Sequence, residues 1–429
     1  MRWNRRYGLK SYARSALWIV PFVAIPIELV ISRIAHWLDP WFGWTLLGYT
    51  QQGAQALLEA LVTMTLSFVV FTFASLLVAI QIAGGQLTPR IIATTLLRDD
   101  LVRYTVGLFL FTLLFALRAQ DQMAGGGVHQ AVIFLSAALG VLCLSAFLYL
   151  IDHAARLLRP ISILRKVAGA GLTVIDSVYP ETAAAQPSAS GARRSLGVPD
   201  RTIPHDGVSE IVLAVNVALL VSEAQKAGVL IELVPQVGDF VAADEPLLNL
   251  YGSAGLIDDA LIRSTVAFGP ERTMEQDPTF AFRIIVDIAL KALSPAINDP
   301  TTAVLSIDQL HRLLRSVGKR NLRTDDILDG AGQLRLIIRT PNWEDYVHLT
   351  FNEIRLCGAN NTQVARRLRS MLENLIQTLP ARRHPALLEQ LSLLDRDLQR
   401  HFPLPEDLAL ARISDSQGLG GHSEIRPLT

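Results

Sequence analysis

The sequence predicts a multi-pass α-helical membrane domain of four spans, followed by a cytoplasmic α+β region with a small β-module and a helical C-terminal part. Three observations predict this. Only 18% of the 429 residues are charged and 50% are hydrophobic, whereas a soluble globular chain carries about 25% charge. The apolar excess is concentrated in the first third, in four long windows. Beyond about residue 160 the apolar residues take the spacings of amphipathic helices and short strands. The chain has 39 basic and 39 acidic residues, so no bulk field draws in nucleic acid, and no nucleic-acid partner is expected. Two distant cysteines, Cys143 and Cys357, exclude a disulfide scaffold.

A helix crosses a hydrocarbon core of roughly 30 Å with about 20 apolar residues. In a transmembrane domain over 1–159, the windows 15–34, 57–83, 101–117 and 131–151 meet that length. Arg2, Arg5, Arg6, Lys10 and Arg14 precede the first window, but no small-residue cleavage site follows it, so it reads as an uncleaved span. Basic residues set the orientation. Those five lie on the same side as Arg90 and Arg98, between spans two and three, and as Arg156, Arg159, Arg165 and Lys166, after span four. The segment 35–56 carries no Lys or Arg. Both termini are therefore expected in the cytoplasm and the lipid bilayer is the first partner. Trp37, Trp41, Phe42, Trp44 and Tyr49 suit an aromatic belt at the headgroups.

Polar residues inside the windows are candidates for an intramembrane path. Glu28 lies within the first, beside Pro21 and Pro26; an ionisable group in hydrocarbon should face protein or water. The second holds Thr63, Thr65, Ser67, Thr72, Ser75 and Gln81. Hydroxyls at this density line a wet path or bond across packed helices, and packing is the commoner use. Ser136 and Gly140 form a small-xxx-small pair. Gly84–Gly85 ends span two, and Thr88 with Pro89 caps a short helix toward Arg98.

An exit helix and flexible linker are expected over 160–200, the linker from its Ala, Ser, Gly and Pro content. A β-rich module is expected over 201–255. It holds a helix at 216–227, strands at 228–234 and 247–251, and a Gly238–Asp239 turn before Phe240–Val241. This run resembles half of a lipoyl-like β-sandwich, but no Lys stands at the hairpin tip. The module is therefore expected to be structural, and no cofactor is expected. A mostly helical domain follows over 256–413: helices at 279–293, at 300–317 behind an Asn298 or Asp299 cap, and at 343–357, 363–379 and 386–402, with a strand at 334–338. The tail 414–429 is expected to be disordered.

The stretch Phe268-Gly269-Pro270-Glu271-Arg272-Thr273, then Gln276-Asp277, Arg283, Val286-Asp287-Ile288-Ala289, Ala292-Leu293-Ser294-Pro295 and Asn298-Asp299-Pro300-Thr301-Thr302-Ala303 is the most distinctive in the chain. It resembles the hallmark of an uncharacterised bacterial predicted-membrane-protein family, a domain of unknown function. Thr88–Arg90 and Gly238–Val241 fit as well, so the resemblance covers nearly the whole chain. It implies the bacterial plasma (inner) membrane and the topology above, but no established activity and no functional residue.

Read from the residues alone, Glu271, Arg272, Gln276, Asp277, Arg283, Asp287, Asn298 and Asp299 form a dense polar constellation. It is either a network of caps and ion pairs or a site for a small cytosolic ligand or ion. Asp277, Asp287 and Asp299 are of the type that binds a hard divalent cation, but their spacing matches no loop motif, and no metal is assigned. Walker, GxGxxG, GxSxG, HExxH and CxxC motifs are absent, so no enzyme is expected. Two functions remain. One is an oligomeric channel- or transporter-like protein with a cytoplasmic regulatory domain, a path through Glu28, Thr63, Ser67, Thr72 and Ser75, and ions and further copies of itself as partners. The alternative is a membrane-anchored sensor or scaffold binding through 268–303.

Overall fold

The computed structural model describes residues 3–4, 6–7, 19–42, 50–86, 99–124, 129–157, 159–180, 196–252, 257–322 and 326–421. The chain divides into two compact units: Ser11–Gly85 with Pro89–Ile163, and Leu164–Thr429 with Met1–Lys10 and Gln86–Thr88. The Thr88–Arg90 cap, the helix toward Arg98, the belt residues Trp44 and Tyr49, and most of the linker (181–195) lie outside the described residues.

The membrane unit holds α1 (Ile19–Phe42), α2 (Gln51–Gln86), α3 (Asp100–Ala124) and α4 (Gln130–Leu157). Among the described residues, three helical segments are long and apolar enough to cross a membrane: Gln51–Ile82, Asp100–Met123 and Gln130–Ala154. This corrects the expectation of four spans. The 15–34 window begins outside the described residues, and α1 offers only the apolar run Phe22–Ile31. Arg33, His36 and Asp39 interrupt the apolar sequence of the helix beyond that run. The placement of both termini on one face, read from the basic residues, requires an even number of crossings.

One face of α2 packs Ala54, Leu58 and Leu61 into a cluster with Phe115, Ala116 and Ala119 of α3 and Val132 and Ile133 of α4. A second cluster joins Val102, Val106, Phe109 and Cys143, and there Phe68 stacks on Phe147 at 4.0 Å. A Cβ on Gly140 would run into Leu61, so the small residue allows α4 its close approach to α2.

The second unit begins with α5 (Pro160–Val178). Then come β1 (Arg201–Pro204), β2 (Glu210–Val215), α6 (Val217–Ala227), β3 (Leu230–Leu233), β4 (Phe240–Val241), β5 (Pro246–Tyr251), α7 (Asp259–Arg263) and β6 (Val266–Gly269). The remainder is α8 (Pro278–Leu293), α9 (Pro300–Gly318), β7 (Asp326–Leu328), β8 (Leu334–Ile338), α10 (Trp343–Gly358), α11 (Thr362–Thr378), α12 (His384–His401) and α13 (Pro405–Ala411). It is thus a mixed α/β region with small sheets and C-terminal helices. One sheet runs β1-β5-β3-β8-β7, the other β4-β2-β6. All pairs are antiparallel except β3 with β8. Ile203, Val212, Leu220, Ile231, Leu248 and Leu336 share one buried core.

The β-module therefore does not close at residue 255, because β6, β7 and β8 complete its sheets. The strands flanking Gly238–Asp239 belong to different sheets, so this turn does not form a lipoyl-like hairpin. The tail is ordered further than expected. The fully buried Arg366 donates to the carbonyls of Ile413 (3.0 Å) and Gly420 (2.8 Å). Asp415 accepts the N–H groups of Gln417 and Gly418 at 3.0 Å and of Gly420 at 2.6 Å. Burial pushes the Asp415 carboxyl up, but these donors and Arg366 outweigh it and hold it below its ordinary range. Residues 422–429 lie outside those described.

Helix α5 belongs to the core of the second unit. Val167, Ala168 and Ile175 are buried, and Tyr179, just past its end, meets the buried Tyr346 hydroxyl at 3.1 Å. A Cβ on Gly171 would stand 2.7 Å from Ala281 Cβ and 3.2 Å from Leu313 Cδ2. Gly171→Val should thus overpack the α5 seam and cost about 1–3 kcal/mol, measured as a lower unfolding temperature of the detergent-solubilised protein. An unchanged transition would show that α5 is not docked.

Candidate functional site

The distinctive stretch begins where β6 ends and leads into α8. Asp277 caps α8 and Pro278 follows at its first turn, an arrangement that suits the exposed first N–H groups of a helix. Asp277 Oδ1 accepts from Phe280 N at 3.2 Å and from the Thr279 hydroxyl. The residue is 3% exposed, and its Oδ2 has no hydrogen-bond partner. Gly238, at φ +96°, lies directly against it, and a Cβ there would be 2.6 Å from Oδ2 and 3.5 Å from Arg272 Cζ. The Gly-Asp turn and the cap are thus one structural feature. Beside it, Gln276 accepts from Val215 N at 2.8 Å and donates to Val215 O at 3.3 Å, tying the loop to β2. Burial pushes the Asp277 carboxyl above its ordinary range, against the pull of Thr279 and Arg272.

The rest of the constellation lies elsewhere. Arg283 bonds Asp287 on its own helix at 2.6 Å and Glu353 of α10 at 2.5 Å. Asn298 takes a left-handed φ of +49°, and Asp299 caps α9 by accepting from Thr302 N at 3.0 Å. Glu271 and Arg272 are exposed. Asp277 and Asp299 sit beyond opposite ends of a 16-residue helix, about 24 Å long at 1.5 Å per residue. Asp277, Asp287 and Asp299 therefore do not converge on one cation. No group of three or more His, Cys, Asp or Glu able to hold a metal occurs among the described residues. What the structure brings together is Asp277, Arg272 and Gln276 with Gly238.

The intramembrane candidates also separate. Glu28 is buried on α1, with Oε1 unpartnered among the described residues. Thr72 and Ser75 border an apolar groove with Phe71, Val102 and Phe147. Thr63 and Ser67 lie on the exposed face of α2. The hydroxyls of Thr63, Thr65, Ser67 and Thr72 each donate to the carbonyl four residues back, which satisfies them without a neighbouring helix.

The outward face of α2 carries a pattern that attention to hydroxyls alone misses. Gly53, Ala56, Ala60, Thr63, Ser67, Val70, Ala74, Leu77 and Gln81 alternate by three and four residues, and all are exposed. This is a heptad seam of mostly small residues. Glu59 stands exposed beside it, accepting from Gln55 Nε2 at 3.0 Å. The signal was present in the sequence, since Gln55, Glu59, Thr63 and Ser67 are spaced by four.

Two substitutions test the local chemistry. Asp277 holds its proton more tightly folded than unfolded, so the second unit should lose stability as pH rises from the ordinary carboxyl value of 3.8 through the raised folded value. Asp277→Asn keeps a capping oxygen and should flatten that fall; an unchanged pH profile of the unfolding temperature would refute it. Asp299→Ala should cost about 0.5–2 kcal/mol through loss of the α9 cap, seen as a lower denaturation midpoint with the fold retained.

Uncharacterized protein Mb1321c of Mycobacterium bovis is 28% identical over 426 residues, covering 95% of this chain and 81% of its own length. Uncharacterized protein Rv1290c of Mycobacterium tuberculosis gives the same identity and coverage. No solved structure matches. A family profile described as "Predicted membrane protein (DUF2254)" matches residues 14–374. On that match over most of its length, the chain belongs to this family of predicted membrane proteins.

Proposed function

We propose that the chain is the subunit of a homo-oligomeric, channel-like assembly of the bacterial plasma membrane, in which the outward face of α2 lines a cation path. The exposed heptad seam of α2 carries this reading. Small residues at heptad spacing let helices of neighbouring copies approach closely. Glu59, near one end of α2, is costly on a lipid-facing surface, though less than the roughly 2.5–3.5 kcal/mol of a charge at mid-membrane, and a wet axis shared between copies removes that cost. A ring of acids at such an axis favours cations. Arg156, Arg159, Arg165 and Lys166 follow the last span, which supports a cytosolic second unit.

The sensor alternative has less support, because the 268–303 segment engages Gln276, Arg283, Asp287 and Asp299 within its own fold. Among the described residues, Thr273 Oγ1 and Asp277 Oδ2 remain its unpartnered buried side-chain atoms.

Purified protein in liposomes should release trapped K⁺, and Glu59→Gln should slow that release several-fold. Ser67→Cys, in a background with Cys143 and Cys357 replaced by Ala, should form disulfide-linked dimers in membranes. A flat flux trace together with no cross-linking sinks the proposal.

A further inference from the structure

A cavity of 340 Å³ lies in the second unit, where the β1–β2 loop faces α7 and β6. Its size falls within the range of about 300–1,000 Å³ typical of small-molecule sites. None of its wall residues belongs to the constellation at α8. Arg263 is already engaged: its Nε donates to Pro204 O at 3.0 Å and its Nη1 to Asp206 Oδ2 at 3.1 Å. His205 is 5% exposed, and its ring lies 4.2 Å from that of Phe268. Its Nε2 meets the carbonyl of Val208 at 2.8 Å, so Nε2 carries the hydrogen. With Nε2 donating, Nδ1 is the ring's acceptor nitrogen, and no described residue bonds it. Gly207 permits this placement, because a Cβ there would be 2.8 Å from His205 Cε1.

Glu210 supplies the remaining charge. Its backbone pairs with Val241, but its carboxylate makes no hydrogen bond or ion pair among the described residues. Among the described wall residues, which include Asn4, Arg263 is balanced by Asp206, and Glu210 and His205 Nδ1 are left as unpartnered acceptors beside apolar Leu247 and Phe268. Such a wall disfavours anions and matches a positive hydrogen-bond donor on a short hydrocarbon.

We propose that this cavity binds a small primary ammonium compound, with Glu210 as counter-charge, His205 Nδ1 as second acceptor, and Leu247 and Phe268 against its carbon chain. The site is independent of any path along α2. Isothermal titration of the full-length protein in detergent, with butylamine as probe and inorganic phosphate as the opposite-charge control, tests it. Saturable butylamine binding is expected, weakened about tenfold or more in Glu210→Gln, as loss of a charge-assisted hydrogen bond implies. Ala260→Phe, which places a ring in the cavity, should abolish it. Glu210→Gln removes no internal contact, so its unfolding temperature should match that of the parent; should it fall, Ala260→Phe decides. No butylamine saturation, equal affinity in the variants, or phosphate binding instead would overturn the proposal.

Discussion

The side chain of Gln276 holds both the N–H and the C=O of Val215, at 2.8 and 3.3 Å. It thereby fixes the end of the three-stranded sheet against the start of α8. An amide that takes both backbone groups of one residue replaces a missing strand neighbour, so the edge of β2 is not left unsatisfied. From that anchor α8 runs into the interior with ten buried residues, among them Phe280, Phe282, Ile284, Ile285 and Ile288. Helices α9 and α10 pack on it, and Gly171 brings α5 against Ala281. Fully burying each large apolar side chain contributes about 1.5–3 kcal/mol, so α8 contributes strongly to the cohesion of the helical half. Moving its first turn would shift every helix that packs on it.

Charge is handled differently in the two units. In the second unit, buried ions are paired or solvated by backbone: Arg355 with Asp397, Arg366 with two carbonyls, Asp329 with Arg335 at 2.8 Å. Burial without such partners costs several kcal/mol per ion, so these pairs prevent a penalty more than they add stability. Asp277 departs from the pattern, since one of its oxygens lacks a hydrogen-bond partner. In the membrane unit, the hydroxyls of Thr63, Thr65, Ser67 and Thr72 bond their own helix, and the buried acids among the described residues are Glu28 and Asp99, the latter paired with His153 at 3.1 Å.

Helices and caps were legible because their signals are local. Of the two cap candidates Asn298 and Asp299, Asp299 caps α9; Asn216, Asp277, Asn342 and Asn361 cap helices as well, each a capping side chain before apolar spacing. The short strands β1, β2, β6 and β7 were missed, since three to six residues carry too little alternation to register. The parallel pairing of β3 with β8 was invisible for another reason: its partners lie about a hundred residues apart and only tertiary packing joins them. The first membrane window begins before the described residues, and Glu28 and Arg33 interrupt the apolar run that remains. At the candidate site the composition was legible and the grouping was not, because helix rise separates residues that look adjacent in a motif. The approach of Gly238 to Asp277 depends on a turn forty residues upstream.

Helix α2 has one further consequence. Its 32-residue apolar segment rises about 48 Å, against a hydrocarbon core of roughly 30 Å. A rod that overshoots its solvent leans within it or projects from it, and the balance is set by lipid tail length. The thickness of the surrounding membrane therefore acts mechanically on the face of α2 that carries Glu59, Thr63 and Ser67. A thinner bilayer favours a steeper lean, and so changes the angle at which that face meets whatever stands beside it.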